Sequence, residues 1–549
     1  MTEAPEFDFI VVGAGSAGCV LADKLSENGR FTVLVIEAGG SDRKFSIKMP
    51  MGYGLTFSDG RVNWKYQTEP DAGLGGKSGY WPRGKVIGGS SSINAMAYMR
   101  GLPHDFDDWE KAGATGWDWE AVRATYEELE TVVEADGTVR GSGPVIVSDL
   151  KNAMSPFSRH FLEAARELNW PVLDDLNDAG QQGMNHHPNE GMGYMRATVR
   201  NGQRWSAADA FLRPAQKRRN LSIISGALVE RVLMRDRQAT GVRYRLNGSV
   251  QEARARREVI LSAGAVDSPK LLMLSGIGPA SDLGKHGIDV VLNHQQVGKG
   301  LQDHLAVSHF YWATEPTLNS LLGRRTGQVR AGVAYLLNRS GPLSVPVNQV
   351  SGYLRTAGAP VPDVQVYCNP ASYAILPEGT PKVDRDNGFL LCVQPCRPTS
   401  RGWIALSSAD PSAQPRIQPN SLSTPEDQQI AVAASRLLQQ LAQTSSLRNV
   451  TRARRAPDIL EMNDPELLDN FRQRSGTVYH PSCTCRMGDS QDVSVTDSRL
   501  RVHGIGRLRV IDASAFPNVT SGNTNAPTMM LAARAAKMVM EDNSAQAAA

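Results

Sequence analysis

Cysteine is scarce in this sequence: six residues among 549. They are too few and too unevenly spaced for a disulfide framework, so we expect free thiols and a reducing compartment. The pairs Cys392/Cys396 and Cys483/Cys485 lack a second Cys or His pair at zinc-like spacing. We therefore expect no metal site.

Long apolar runs are absent as well. No stretch reaches about 18 apolar residues, so we expect no transmembrane segment, and we expect no signal peptide because no basic region with a cleavage site begins the chain. The 59 basic and 56 acidic residues leave a net charge of only +3, which gives no reason to expect a nucleic-acid partner. We expect a cytoplasmic protein; a peripheral contact at the inner face of the membrane and the oligomeric state stay open.

The first forty residues have the pattern of a dinucleotide-binding unit. An apolar run at 7–12 has the length of a buried parallel strand, and Gly-Ala-Gly-Ser-Ala-Gly follows at 13–18. Glycines at this spacing provide the tight turn and the close backbone approach that a pyrophosphate needs. A second strand-like run, 32–36, ends at Glu37, whose carboxylate can accept hydrogen bonds from ribose hydroxyls. A plain strand-to-helix turn is the alternative, and the pattern does not distinguish NAD from FAD.

Two further glycine-rich segments extend this pattern. Residues 83–94 read Arg-Gly-Lys-Val-Ile-Gly-Gly-Ser-Ser-Ser-Ile-Asn, a composition that lets backbone press against a flat ring; a surface turn is the alternative. Residues 264–278 follow a strand-like run at 258–263, and residues 297–304 read Val-Gly-Lys-Gly-Leu-Gln-Asp-His. The segments 83–101 and 264–278 closely resemble the two signatures of the glucose-methanol-choline (GMC) oxidoreductases. The resemblance covers essentially the whole chain.

The resemblance implies FAD, with its adenosine half at the N-terminal turn and Glu37 and its adenine edge at the backbone near Val229. Its ring would lie against residues 88–94. Some choline-oxidising members carry a histidine, covalently tied to the flavin, immediately before the asparagine of this segment. Ile93 stands at that position here, so we expect FAD to be bound non-covalently. The cofactor-binding residues expected from the motifs and the resemblance are Gly13, Gly15, Ser16, Gly18, Glu37, Ala38, Arg83, Val86, Gly88, Gly89, Ser91, Asn94, Ala95, Met96, Val229, Ala263, Gly264, Asp512, Ala513, Asn523, Thr524 and Pro527.

The residues expected to react with substrate lie near the C-terminus, in Val-Tyr-His-Pro-Ser at 478–482 and Gly-Asn-Thr-Asn-Ala-Pro at 522–527. The resemblance implies that His480 is the catalytic histidine and Asn523 its partner. Imidazole suits removal of a hydroxyl proton near neutral pH while hydride leaves the adjacent carbon, and an amide can orient the substrate oxygen. Without the resemblance, a packed histidine and a turn asparagine are the alternatives.

The C-terminal residues that follow predict a strand and a helix beside the cofactor. The strand-like run 508–511 ends at Asp512, which the resemblance places with Ala513 in the ribityl-pyrophosphate region. Helix-forming residues from Thr528 to Met540 predict a helix whose N-terminus points at the ring; an ordinary amphipathic helix is the alternative.

The expected fold class is α/β, with a discontinuous Rossmann-like FAD-binding domain and an α+β substrate-binding domain built on an antiparallel sheet. We expect the FAD-binding domain at residues 1–155, 220–310 and 470–549. The substrate-binding domain is expected at residues 156–219 and 311–469.

The central segment predicts the wall of the substrate pocket. Strand-like runs at 363–367, 389–393 and 402–406 suggest one sheet, and residues 425–441 predict a helix with Thr424 as its cap. The residues expected by position to line the pocket are Met51, Met96, Val347 and Tyr373.

The function that the resemblance implies is oxidation of a primary alcohol to an aldehyde. His480 would abstract the proton and flavin N5 would receive the hydride, with electrons passed to a quinone or another carrier. An O2-dependent alcohol oxidase of the same family, producing hydrogen peroxide, is the main alternative. A hydroxynitrile-lyase-like non-redox enzyme and a silent flavin-binding module also stay open. The sequence does not distinguish choline from aliphatic, aromatic or furanic alcohols.

Overall fold

The computed structural model of the chain describes residues 4–178, 187–375 and 381–545, and it contains two seven-stranded sheets. In chain order the strands of these sheets are β1 (Glu6–Val12), β2 (Val33–Glu37), β3 (Gly191–Tyr194), β4 (Leu221–Ser225), β5 (Ala227–Arg235), β6 (Gln238–Leu246), β7 (Ser249–Leu261), β8 (Leu305–Ala313), β9 (Val350–Leu354), β10 (Val364–Asn369), β11 (Gly388–Pro395), β12 (Thr451–Arg454), β13 (Gly476–Thr477) and β14 (Leu508–Val510). Within the described ranges, the helices of nine or more residues are α1 (Ser16–Ser26), α2 (Pro103–Lys111), α3 (Trp119–Leu129), α4 (Arg159–Glu167), α5 (Gly264–Leu274), α6 (Arg325–Asn338), α7 (Pro425–Gln443), α8 (Asp464–Arg474) and α9 (Asn525–Ala545).

The first sheet has the order β4-β2-β1-β7-β6-β5, and β14 pairs with β7. The pairings among β4, β2, β1, β7 and β14 are parallel, whereas β5, β6 and β7 form antiparallel hairpins. Continuous apolar residues in β1 and β2 are buried because both faces are covered. One face packs with helices α1 and α9, and the other shares a core with β5, β6 and α5. The carboxyl ends of β1, β2, β7 and β14 consequently lie at one edge, where open α/β sheets bind ligands.

The predicted elements of this half are present with small shifts in their bounds. The run expected at 32–36 is β2, one residue later, and the run at 258–263 is the end of the longer strand β7. The predicted C-terminal helix is α9, which begins at Asn525 rather than Thr528. The expected α/β fold class is confirmed.

The second sheet is antiparallel throughout, in the order β12-β8-β11-β10-β9-β3, with β13 paired to β8. Side chains of β10 alternate: Val366 and Cys368 pack with helices α4, α7 and α8, whereas Tyr367 and Asn369 face a cavity. Helix α7 begins as predicted, because Thr424 Oγ1 accepts a hydrogen bond from the Asp427 amide at 3.3 Å.

Two expectations about this region are corrected. The strand expected at 402–406 does not join the sheet of β10 and β11; Gly402–Ala405 pairs with Lys299–Leu301 and Arg416–Gln418 in a separate three-stranded sheet. The alternating pattern identified a strand, but its partner depends on tertiary packing, and here Ile404 packs against the core of the first sheet.

The predicted domain limits at 310 and 470 also fall inside elements that belong to the second sheet or pack against it. Residue 310 lies within β8, and residue 470 lies within α8, whose Phe471 packs against the second sheet. Because β8 is hydrogen-bonded to β11, the chain has already entered the second sheet at the start of β8, Leu305. None of the helices in the described ranges has both the length and the apolarity needed to cross a membrane.

Candidate active site

A cavity of about 1230 Å³ extends from the carboxyl ends of the first sheet to the inner face of the second. It is larger than the roughly 300–1,000 Å³ of pockets for drug-sized ligands. The predicted site residues that line it are Gly13, Gly15, Ser16, Glu37, Ala38, Arg83, Gly89, Asn94, Ala95, Met96, Val229, Ala263, Gly264, His480, Asp512, Ala513, Asn523 and Thr524. The expected pocket residues Met51, Val347 and Tyr373 line it too.

Five predicted residues lie behind the cavity wall: Gly18, Val86, Gly88, Ser91 and Pro527. A Cβ at Gly18 would lie 1.8 Å from the Gly13 oxygen, so this glycine serves helix packing. Ser91 Oγ donates to the Gly88 oxygen at 2.6 Å, and the Val86 side chain is fully buried in a small apolar cluster. These side chains support the wall.

The two glycine-rich turns touch backbone to backbone. A Cβ at Gly89 would lie 2.6 Å from Gly15 Cα, while one at Gly15 would meet only Gly89 Cα, at 3.9 Å. Gly15 therefore leaves space toward the cavity that a side chain would fill. The first residues of α1 and α9 meet beside it, where Ser16 Oγ donates to Asn525 Oδ1 at 2.7 Å. Two helix N-termini thus border the cavity, an arrangement that favours an anionic ligand.

Glu37 stands at the end of β2 with both carboxylate oxygens engaged by backbone. Its Oε2 accepts from the Ala14 amide and its Oε1 from the Gly39 amide, each at 2.8 Å. Burial raises the pKa of Glu37 to about 7. Each oxygen keeps a further lone pair, so the residue can still accept a hydrogen bond from a ligand in the cavity.

Asp512 joins the end of β14 to the start of α5. Its Oδ2 accepts from the Gly264 amide at 2.9 Å and from Ser268 Oγ at 2.6 Å. Burial raises the pKa of this carboxyl above its ordinary value. The contacts assign Asp512 to shaping the cavity floor, with one oxygen also accepting from the Ser514 amide.

The turn at 88–94 is held by Arg204, a buried residue that the sequence did not indicate. Its guanidinium donates to the oxygens of Ile47 and Ser91 and to both oxygens of Asn94, at 2.6–3.1 Å. Burial lowers the pKa of Arg204 to about 9, but the group stays charged at neutral pH. The Arg204 guanidinium fixes Asn94 at the cavity wall because this one planar cation donates hydrogen bonds to four acceptors.

The structure brings His480 and Asn523 together, with His480 Nε2 and Asn523 Nδ2 3.0 Å apart. On the other side of the ring, His480 Nδ1 lies 3.0 Å from His304 Nδ1, and His304 Nε2 lies 2.8 Å from the Cys396 oxygen. A carbonyl oxygen only accepts, so His304 donates through Nε2 and accepts at Nδ1. His480 then donates through Nδ1, which leaves the lone pair of Nε2 directed at Asn523. The hydrogen-bond chain therefore selects the tautomer of His480 that can accept a proton at Nε2.

A buried carboxylate holds the two histidines in place. Asp303 Oδ1 accepts from the amides of His480 at 2.7 Å and of His304 at 2.9 Å. Arg83 Nη2 donates to the Tyr479 oxygen at 2.6 Å from the neighbouring wall. Burial raises the pKa of Asp303 to about 6 and lowers that of Arg83 to about 10. Both residues thus position the backbone that carries His480.

Burial keeps both imidazoles neutral. It lowers the pKa of His304 to about 4 and holds that of His480 well below its ordinary value, since neither ring has a carboxylate partner. His480 is accordingly available as a proton acceptor throughout the neutral range. His304 and Asp303 were visible in the sequence only as the end of the 297–304 motif, without a role.

The six cysteines are all buried and unpaired. Burial raises the pKa of Cys483 and Cys485, which therefore remain protonated thiols. Over the described ranges, no three His, Cys, Asp or Glu side chains are grouped so as to hold a metal ion.

Comparison with known proteins places the chain in a family. The GMC oxidoreductase models match residues 7–306 and 398–532. The oxygen-dependent choline dehydrogenase of Vibrio vulnificus is 39% identical over 539 residues, covering 97% of this chain and 94% of the relative. The alcohol dehydrogenase [acceptor] of Pseudomonas putida is 38% identical over 540 residues, 97% and 96% of the two chains.

Solved structures agree in fold. Pyridoxine 4-oxidase from Mesorbium loti has a TM-score of 0.85 at 29% identity, covering 97% of this chain and 99% of that one. A formate oxidase variant from Aspergillus oryzae RIB40 has a TM-score of 0.89 at 26% identity, covering 99% of both chains. The chain belongs to the GMC oxidoreductase family.

Proposed function

We propose that this protein is an FAD-dependent dehydrogenase that oxidises an uncharged primary alcohol to its aldehyde and passes the electrons to a quinone or another carrier. The observation that carries the proposal is the Nε2 lone pair of His480, 3.0 Å from the Asn523 amide on the cavity wall. Membership in the GMC oxidoreductases and the dehydrogenases among its relatives support it.

The cavity residues fit FAD. The space beside Gly15, the two helix N-termini and the acceptors of Glu37 suit a dinucleotide with a pyrophosphate. Asn523 Oδ1 is buried without a hydrogen-bond partner among the described residues, as expected for a group awaiting a ligand donor. Ile93, buried on the cavity wall, offers no atom for a covalent bond to the ring, which supports non-covalent binding.

Substrate activation follows from the two side chains. The alcohol oxygen binds on the cavity side of the pair and displaces the hydrogen bond between them, so that its proton is donated to His480 Nε2 while Asn523 Nδ2 donates to the oxygen. His304 Nδ1 accepts from His480 Nδ1, and this bond strengthens as the ring gains the proton. Bound FAD supplies the acceptor for the hydride, at N5. Loss of one proton and one hydride from the same CH–OH group leaves the aldehyde.

The substrate end of the cavity favours an uncharged alcohol. Aromatic and aliphatic side chains such as Phe310, Tyr367 and Leu390 line it, together with Asn348 and Asn369. The acidic residues of the cavity wall within the described ranges are all hydrogen-bonded to neighbouring protein groups: Glu37, Asp71, Asp267, Asp303, Asp427 and Asp512. Each of these carboxylates is already held by protein donors, so none is free to move toward a quaternary ammonium group, and burial of that cation is disfavoured.

An anaerobic spectrum tests the proposal. The purified holoenzyme should show flavin bands that bleach with 1-octanol or benzyl alcohol, with kcat/KM for choline more than about tenfold lower. Bleaching by choline alone would overturn the substrate class. Flavin bands that no alcohol bleaches would overturn the proposed oxidation.

The acceptor is tested by comparing O2 uptake with quinone reduction by the alcohol-reduced enzyme. We expect reduction of a soluble quinone to exceed peroxide formation. Rapid peroxide formation with negligible quinone reduction would identify an oxidase instead.

Two substitutions test the assigned roles. His480→Ala should slow flavin reduction by several orders of magnitude with FAD still bound, because the substitution removes the Nε2 atom that would take the hydroxyl proton. Asn523→Ala should cost about 10²-fold, the loss of an orienting donor. Loss of FAD from His480→Ala would show that the residue is structural. His503→Ala, which removes a histidine bonded to Ser494 Oγ outside the cavity wall, is the matched control and should keep the full rate.

A further inference from the structure

Helix α6 carries its apolar residues on the side that faces away from the protein. Its buried positions are Gly327, Ala331 and Tyr335. The large aliphatic side chains are instead exposed, by 66% at Val329, 50% at Val333, 69% at Leu336 and 75% at Leu337. A surface helix normally has the opposite arrangement, with its apolar side packed on the core.

These four residues form one continuous strip. At 3.6 residues per turn, positions 329, 333, 336 and 337 project within a quarter-turn or so of one another, directly opposite positions 327, 331 and 335. They account for four of the eleven exposed large apolar residues found across the described residues. We call this strip, Val329, Val333, Leu336 and Leu337, the outer strip of α6. Contiguous exposed apolar surface of this kind marks an interaction site.

Arginines border the outer strip. By the same helical projection, Arg325 and Arg330 lie on its two sides, and Arg324 immediately precedes the helix. All three are exposed, and none makes an ion pair with another described residue. Phe45, 56% exposed, stacks edge-on against Tyr335 at 5.8 Å on the buried side of α6, and the exposed Arg43 lies two residues earlier.

The segment that leads into α6 borders the active-site cavity. The short helix Asn319–Leu322 leads into α6, and Leu322 lines the cavity. Leu55 and Ile375 also line it, and they are 53% and 61% exposed, so the cavity opens among exposed apolar side chains.

We infer that α6 docks the protein on an anionic phospholipid surface, with the outer strip in the acyl-headgroup boundary and Arg324, Arg325 and Arg330 on lipid phosphates. An apolar helix face flanked by basic residues has this chemistry. A second copy of the chain suits the surface poorly. A stable interface buries about 800 Å² and 20–30 residues per partner, far more than this strip offers.

Vesicle co-sedimentation of the FAD-loaded holoenzyme tests the inference. The probes are vesicles of equal phosphatidylglycerol and phosphatidylcholine, and vesicles of phosphatidylcholine alone. The wild type should sediment with the first and bind the second at least about tenfold more weakly. Val329→Ser/Val333→Ser should weaken binding to the anionic vesicles at least about tenfold. Val139→Ser/Val493→Ser is the matched control, since these valines are 58% and 54% exposed elsewhere on the surface, and it should bind like the wild type.

The outcomes separate docking from its alternatives. No binding of the wild type to anionic vesicles, or equal binding by Val329→Ser/Val333→Ser, would overturn the inference. A wild-type dimer that this variant converts to a monomer, without vesicle binding, would assign the strip to self-association. Arg325→Gln/Arg330→Gln should bind several-fold more weakly and with less dependence on salt. Oxidation of alcohol with a soluble dye should be unchanged in all variants, so failure of docking is distinct from failure of the proposed function.

Discussion

Replacement of His304 tests the hydrogen-bond chain that prepares the base. In the wild type, the Nδ1–H of His480 donates to His304 Nδ1, 3.0 Å away in a fully buried site. In His304→Leu this acceptor is lost. Two consequences follow: neutral His480 is free to move its proton to Nε2, and the protonated ring lacks a partner after it has taken the substrate proton. A hydrogen bond to a charged group contributes about 1.5–3 kcal/mol. At 1.36 kcal/mol per tenfold, flavin reduction should slow about 10- to 200-fold.

The conservative variant makes this reasoning specific. In His304→Asn, the side-chain oxygen can take the position of Nδ1 and accept from His480, although the donor to the Cys396 oxygen is lost. We expect His304→Asn to recover most of the rate that His304→Leu loses. Anaerobic stopped-flow spectroscopy at saturating alcohol measures both rates, and flavin content shows that the cofactor is bound.

Two results would refute the hydrogen-bond chain. Reduction of FAD-loaded His304→Leu at the wild-type rate would mean that His480 needs no fixed tautomer. Equal losses in the Leu and Asn variants would mean that His304 acts only through packing.

Three further predictions concern the cofactor and the pH response. The kcat/KM for alcohol should rise with pH through an apparent pKa below 6.5 and stay level at higher pH. The reason is that burial lowers the pKa of His480, and only the unprotonated ring can accept the substrate proton. An apparent pKa above 6.5 would contradict this. Acid precipitation should release all flavin into the supernatant, since Ile93 stands where a covalent attachment would require a histidine; yellow colour retained in the pellet would disprove non-covalent binding. Arg204→Met should lose FAD and unfold at lower temperature, because four acceptors lose hydrogen bonds from a charged donor worth about 1.5–3 kcal/mol each. Arg204→Lys should be intermediate in both properties. Titration with FAD and thermal unfolding measure them, and wild-type FAD affinity in Arg204→Met would refute the role.

Local patterns predicted much of the FAD-binding half. The turn at 13–18, the strand that ends at Glu37 and the cap of α7 at Thr424 all depend on interactions among near neighbours in the chain, which the sequence displays directly. His480 and Asn523 were predicted as the reacting pair from long motifs that resemble a family, not from their spacing. The partner of the strand at 402–405 was predicted wrongly because pairing depends on which elements meet after folding.

The sequence alone determined the nucleotide-binding unit and the α/β class, and it predicted His480 and Asn523 as the reacting pair. Only the tertiary structure decided how that pair is prepared: His304 lies 176 residues before His480, and Arg204 reaches a turn 110 residues before it. It also decided that α6 exposes its valines and leucines, since the apolar pattern of a helix does not say which side its neighbours cover. Such contacts join segments that are far apart in the sequence and form only in the folded chain, so a local sequence pattern does not predict them.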